Sequence, residues 1–315
     1  MGTVNTVVAT INGVQVSLTE GSGGVWSAST TAPNSTSYTL DPQYYNVAIT
    51  ATDMASNATT IDASDSTFGA NLRLVVKETT APVITITAPT EGAYVATWPT
   101  MSATLTDSGS GIDTSSIVVK LDDVVVPSSD YTVTVVSSSS TATVVPTEVL
   151  VTYTPSGTLN SGNHSFTVDV DDNDGNSATT VTRNYVAITS APVLSIDTPS
   201  ADGTWTNDDT VTITGSSNLT GATGESITIS IDSGTPETVT VGSTGAWTYT
   251  TSALADGLHT FTVVATGLSG LTTTATRTIN VDTVAPTITA VSVTPNPADN
   301  GETILISVTV TDTTS

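Results

Sequence analysis

The sequence contains no cysteine, only two histidines and only five basic side chains. Without cysteine there can be no disulfide, no thiol nucleophile and no thiolate-bound zinc or iron–sulfur centre. Lys77, Lys120, Arg73, Arg183 and Arg277 are too few and too scattered to neutralise a run of phosphates, so nucleic acid is excluded as a partner. Set against 29 carboxylates they leave a net charge of −24, which also disfavours an anionic membrane surface. No apolar run approaches the roughly 18 residues of a spanning helix, so no membrane insertion is expected. Residues 1–10 lack a basic leader-type start; either a leader has been removed or the protein leaves the cell by another route, such as lysis. Charged residues make up 11% of the chain, against about 25% in an average globular protein.

What fills the chain instead is threonine, about a fifth of all residues, together with valine and isoleucine. β-branched side chains suit pleated, half-buried surfaces and disfavour helices. The pattern is repetitive. Thr80-Ala81-Pro82-Val83-Ile84-Thr85-Ile86 returns as Ser190-Ala191-Pro192-Val193-Leu194-Ser195-Ile196, and again as Val284-Ala285-Pro286-Thr287-Ile288-Thr289. Each is a proline followed by alternating apolar residues, a linker entering a strand. The prolines lie 110 and 94 residues apart, the size of one β-sandwich. A second phrase recurs late in each repeat: Tyr45 to Asp53, His164 to Asp172 and His259 to Gly267, with apolar residues at every second position. Asn12-Gly13, between two alternating runs, predicts a type I′ hairpin.

Strand, turn, closing strand and Ala-Pro linker together resemble bacterial Ig-like repeat proteins, of the kind found in cell-surface adhesin stalks and in prophage tail regions. The resemblance implies an all-β fold of serial Ig-like sandwiches in a rod. Residues 81–190 and 191–284 make two complete domains. Residues 1–80 read as an incomplete one, starting where residues 191–284 are already at their third strand. Residues 285–315 read as a first and second strand with no sandwich behind them. The two end pieces total 111 residues, close to the 110 of the second repeat. The expectation is that Ile304, Ile306, Val308 and Val310 carry an assembly strand that completes residues 1–80 of a neighbouring copy, by strand addition head to tail.

Few residues invite chemistry. His164 and His259 share a repeat position with Tyr45, so a structural hydrogen bond is expected of them. No third group suggests a triad beside either histidine, and no enzyme is expected. Calcium is the one cofactor considered, because Asp169 to Asn176 packs oxygen donors into one turn, with Asp171, Asp172 and Asp174 as ligands. That turn lacks the Glu of an EF-hand. In adhesin stalks of this type such turns pair with an acidic residue before the Ala-Pro linker, where this chain has Glu78, Ile188 and Asp282. Asp107 and Asp113 form a second candidate loop. Trp26 and Trp247 are expected in cores, with Trp98 and Trp205 at edges or linkers. The functional expectation is a non-enzymatic, extracellular structural or attachment protein: a phage-tail-type fibre or a self-assembling filament on a virion or bacterial surface. The alternatives are a calcium-stiffened stalk segment of a secreted adhesin, or a module that binds bacterial cell-surface glycan.

Overall fold

The computed structural model describes residues 3–312. Apart from two short 3-10 turns, its regular structure is β. Module one, residues 1–80, contains β1 (Val4–Ile11), β2 (Val14–Glu20), β3 (Trp26–Ser27), β4 (Tyr45–Asp53), β5 (Ala58–Ile61) and β6 (Arg73–Leu74). These form one sheet in the order β3-β2-β1-β4-β5, with β6 also on β4. Asn12 and Gly13 both have positive φ (49° and 77°), as a type I′ turn requires. The resulting pairs Val7↔Leu18, Ala9↔Val16, Val7↔Ala51 and Ala9↔Ile49 put the aliphatic side chains of three strands on one face. Among the described residues the module forms this one sheet. Of its described apolar residues only Val7, Tyr45 and Ala63 are buried.

Module two holds β7 (Val83–Ala88), β8 (Ala93–Val95), β9 (Met101–Thr106), β10 (Val118–Leu121), β11 (Val124–Val125), β12 (Tyr131–Ser138), β13 (Pro146–Tyr153), β14 (Gly162–Asp169) and β15 (Val181–Ala187). It is a complete sandwich, with sheets β11-β10-β14-β15-β8 and β12-β13-β9-β7. Met101, Ala103, Leu105, Val149, Val151, Phe166 and Val168 are fully buried between them.

Module three holds β16 (Leu194–Thr198), β17 (Thr204–Thr206), β18 (Thr212–Ser217), β19 (Ser226–Ile231), β20 (Glu237–Val239), β21 (Ala246–Thr250), β22 (Gly257–Thr266) and β23 (Thr272–Val281). Its sheets are β16-β18-β21 and β17-β23-β22-β19-β20. Ile213, Ile227, Ile229, Trp247, Phe261, Val263 and Ile279 pack in one core. Within β17 and β23 the pairing is parallel, Thr204↔Ile279 to Thr206↔Val281.

Past Val281 come β24 (Thr287–Thr294) and β25 (Leu305–Thr311), which pair as a two-stranded hairpin. Ile304 falls one residue before β25. The pairs Ile288↔Val310, Val291↔Val308 and Val293↔Ile306 gather six aliphatic side chains on one face. All six are open to solvent. By chain contacts the molecule divides into two compact units, one made mainly of modules one and two, the other mainly of module three and the hairpin.

Candidate functional site

Three pieces of chain bring carboxylates together where module one meets module two. Glu78 sits in the linker ahead of Pro82. Asp107 opens the turn that follows β9, and its Oδ2 accepts the Gly109 and Gly111 amides at 3.1 and 2.6 Å. Asp172 lies in the turn between β14 and β15, with Oδ1 accepting the Asn176 amide at 2.8 Å and Oδ2 its side-chain N–H at 2.7 Å. One oxygen from each of Glu78, Asp107 and Asp172 lies within 4.8 Å of the others. Asp107 and Asp172 are buried, 6% and 2% exposed. Glu78 also accepts a hydrogen bond from the Ser110 amide.

The electrostatics are adverse for the bare protein. Burial, with Asp107 and Asp172 adding repulsion, pushes the Glu78 carboxyl above its ordinary range. Burial likewise raises Asp107, with Asp172 and Asp174 adding to it and the two turn amides partly offsetting it. Like charges 4 Å apart repel by about 4 kcal/mol at an effective dielectric of 20. A proton or a cation relieves this. The donor set is all oxygen and the carboxylates are preorganised by backbone N–H groups, which fits a hard divalent ion such as calcium.

Of the three aspartates expected as ligands, the structure brings only Asp172 into this cluster. Asp174 lies alongside, with Oδ2 accepting the Thr36 hydroxyl at 2.5 Å and the Glu78 amide at 3.0 Å. Its carbonyl takes the Lys77 ammonium at 2.8 Å. Asp171 is engaged through its backbone, its amide donating to the Ser116 hydroxyl at 2.8 Å. Asp113 closes its own turn onto Ser115 at 2.9 Å and is not part of the cluster. The acidic linker residue that meets the aspartate-rich turn is therefore Glu78, ahead of module two, and not the position after it, where Ile188 stands. The Asn176 side chain seals this arrangement by donating to the Glu78 carbonyl at 3.2 Å.

Both histidines clamp hairpin turns. His164 Nδ1 lies 2.7 Å from Asp122 Oδ2, and His259 Nδ1 lies 2.6 Å from Asp232 Oδ2. Each aspartate stands at positive φ, 50° and 51°, and accepts the amide following the histidine on its other oxygen, at 2.8 Å. His259 Nε2 is also 2.7 Å from the Ala255 carbonyl. A carbonyl and a carboxylate only accept, so this pair of partners favours the doubly protonated imidazolium. Burial opposes that charge, but the Ala255 carbonyl and Asp232 outweigh it and raise the imidazole above its usual value. In module one the corresponding Tyr45 hydroxyl donates to the Ser35 carbonyl at 3.1 Å.

The tryptophans divide. Trp247 is core, 3% exposed. Trp26, its counterpart, is only half-buried, because module one has no strand in the place of β18. Trp98 donates to the Gly157 carbonyl at 3.2 Å and packs edge-on against His164. Trp205 is 60% exposed on β17, without an aromatic neighbour that would make it a sugar platform among the described ring contacts.

No curated protein matches the chain. Among solved structures, the chain is similar to the fibronectin(III)-like modules of Clostridium thermocellum CbhA, with 16% identity over 64% of this chain and 94% of that one and a TM-score of 0.35. It is similar to the tetra-tandem repeat in the extending region of a large adhesion protein, with 16% identity over 97% of this chain and 79% of that one and a TM-score of 0.32. The D00-D0 domain of intimin matches at 16% identity over 64% of this chain and all of that one, with a TM-score of 0.30. Residues 188–283 match the family described as bacterial Ig-like domain. Module three is thus similar to bacterial Ig-like domains, in a chain whose fold is all-β with serial Ig-like sandwiches.

Proposed function

We propose that this is a non-enzymatic extracellular structural protein whose copies join head to tail, the hairpin of one copy supplying the strands that module one of the next lacks. One observation carries this reading: β24–β25 repeat the strand pair β16–β18 with their aliphatic face exposed, and among the described residues module one has no counterpart of that pair. In module three the pair β16 and β18 forms most of one sheet. Module one has strands corresponding to β19 through β23 and, among its described residues, none corresponding to β16, to β18 or to the short β17 between them. The hairpin β24–β25 follows an Ala-Pro linker at the same spacing, and among the described residues its apolar face has no partner sheet. A two-stranded hairpin alone is marginal in water. Covering each Ile or Val is worth about 1.5–3 kcal/mol, so six on one face supply a strong drive to dock. Chains joined this way form a filament unless the rotation closes a ring, a form that suits a phage-tail-type fibre or a surface appendage. High negative charge keeps such a polymer from sticking to itself sideways.

Light scattering tests it. The full chain is expected to form species of several chain masses, and the chain without residues 285–315 a single mass. Equal masses for both overturn the reading.

A second reading, a calcium-stiffened stalk segment of an adhesin, is favoured by the convergence of Glu78, Asp107 and Asp172 at the junction of modules one and two. The two readings are compatible, since one concerns the ends of the chain and the other a joint within it.

A further inference from the structure

We propose that the incoming hairpin docks on a specific edge: β25 of one copy pairs antiparallel with the strand that begins at Trp26 of the next, lengthening that strand as it does so. This rests on the head-to-tail reading and names its contact.

In module three the same place is filled. β21 carries Trp247 and pairs with β18 from Thr212↔Thr250 to Ser216↔Ala246. Module one begins its corresponding strand in the same manner. The Gly21 amide donates to the Val25 carbonyl at 2.7 Å, as the Gly242 amide donates to the Ala246 carbonyl at 2.9 Å, and Trp26 and Trp247 follow directly. There the likeness stops. β21 runs five residues, whereas β3 runs two and pairs only with β2, through Thr19↔Ser27 and Glu20↔Trp26. What module one lacks at this point is the neighbour that β18 provides. Beyond β3 the chain leaves a cavity of about 270 Å³ between Thr30 to Asn34 and the apolar face at Ile11, Val14 and Val16. In module three Ile213, an inward residue of β18, is fully buried in the core with Ile227, Ile229 and Trp247.

The hairpin has the geometry to replace them. Its two strands slip register by one residue between Ile288 and Ala290, two residues closer to the linker proline than the slips of β7–β9 at Ile86/Ala88 and β16–β18 at Ile196/Thr198, so beyond the slip the pairing is again equivalent. Its occupant is a second copy. Module three receives the chain at Pro192, whose carbonyl accepts from Thr273 at the start of β23, and releases it after Val281. Those points are about eight residues of strand apart, roughly 27 Å. The hairpin thus leaves from the far end on a tether of five residues, which spans at most about 18 Å.

The native chain has no cysteine, so engineered pairs report without background. Superposing β24–β25 on β16–β18 by their linker prolines places Ser307 opposite Ser27, both pointing away from the apolar face. The double variant Ser27→Cys, Ser307→Cys is expected to give a ladder of disulfide-linked multimers under mild oxidation, with the ladder collapsing to one band on reduction. Pairs of Ser27→Cys with Leu305→Cys or Thr309→Cys cover a two-residue slip, and a ladder from either still supports the edge. The pair Thr60→Cys, Ser307→Cys probes the opposite edge at β5. A ladder from that pair alone, or multimers by light scattering with no crosslink at Ser27, overturns the docking edge and leaves the head-to-tail reading standing. Monomers by light scattering overturn both.

Discussion

The same strand pair occurs three times in this chain, and only its surroundings differ. In β7–β9 the inward residues Ile84, Ile86, Met101, Ala103 and Leu105 are buried. In β24–β25 the corresponding residues are exposed, Ile288 at 63% and Ile306 at 61%. The proline before the first strand and a one-residue slip are shared, the slip falling two residues after Pro286 and four after Pro82 and Pro192. Strand pairing is therefore written locally, in alternation and turn chemistry, while burial depends on a second sheet that the local sequence does not contain.

The sharpest way to break this comparison is to truncate matching residues. Leu105→Ala is expected to cost about 2–5 kcal/mol, the usual range for an aliphatic core truncation, seen as a lower denaturant midpoint for module two. Val310→Ala is expected to leave the midpoint of unassembled protein within about 0.5 kcal/mol while reducing multimer mass. Equal costs would mean that the hairpin is buried within its own chain.

Next in size is calcium. Module two has a preorganised carboxylate cluster at its leading linker, and module three has Ile188 where Glu78 would stand. Saturating calcium is expected to raise the midpoint of the unit holding modules one and two, by about 2.7 kcal/mol at a hundredfold excess over Kd, with no rise in Asp172→Asn. A calcium effect that survives Asp172→Asn places the ion elsewhere.

A smaller effect separates modules two and three. At Gly215 of β18 a Cβ would lie 2.1 Å from the Ser195 carbonyl oxygen and 2.2 Å from the Trp247 ring. Gly215→Ala is expected to destabilise module three by about 1–3 kcal/mol, the range for overpacking. The matching Ala103 of β9, opposite Val151, already carries that methyl. An unchanged melting curve for Gly215→Ala would show that the Trp247 ring yields.

The smallest effect is that of pH. The imidazole of His259 is held above its ordinary value, so its contribution is complete below about pH 6.5 and fades as pH rises through the raised folded value. Burial works against the Asp232 carboxylate, but the Thr260 amide and His259 more than offset it and hold its pKa below the ordinary value. Its contribution is present above the ordinary carboxylate range and lost as pH falls through the lowered value. The melting temperature of module three is expected to decline from pH 6 to 8, and His259→Gln to flatten that decline. A decline that persists in His259→Gln removes the clamp as its cause.

Much of this was legible in the sequence. The linkers, the hairpin turn at Asn12-Gly13 and the repeat equivalence of Tyr45, His164 and His259 follow from spacing alone. The joint at Glu78 was only half legible. Each acidic residue stood out, but not their grouping, because which linker meets which turn depends on the pole of the sandwich at which each turn lies. The chain enters module two at the pole that also carries the turns after β9 and β14, so Glu78 faces Asp107 and Asp172. The half-burial of Trp26 was not legible either, since a repeat-equivalent tryptophan is core only where the strand opposite it exists.

The parallel pairing of β17 with β23 has a mechanical meaning. β17 lies near the start of module three and β23 at its end, so tension applied along the chain draws them in opposite directions. The bonds linking Thr204, Trp205 and Thr206 to Ile279, Asn280 and Val281 are then sheared together and do not peel one by one. The Asn280 side chain, donating to the Gly203 carbonyl at 3.2 Å, crosses the same seam, and the Arg277 guanidinium, donating to the Ile196 carbonyl at 3.1 Å, ties β23 to β16 of the facing sheet. In a protein without a single disulfide, this seam is where module three resists being pulled apart.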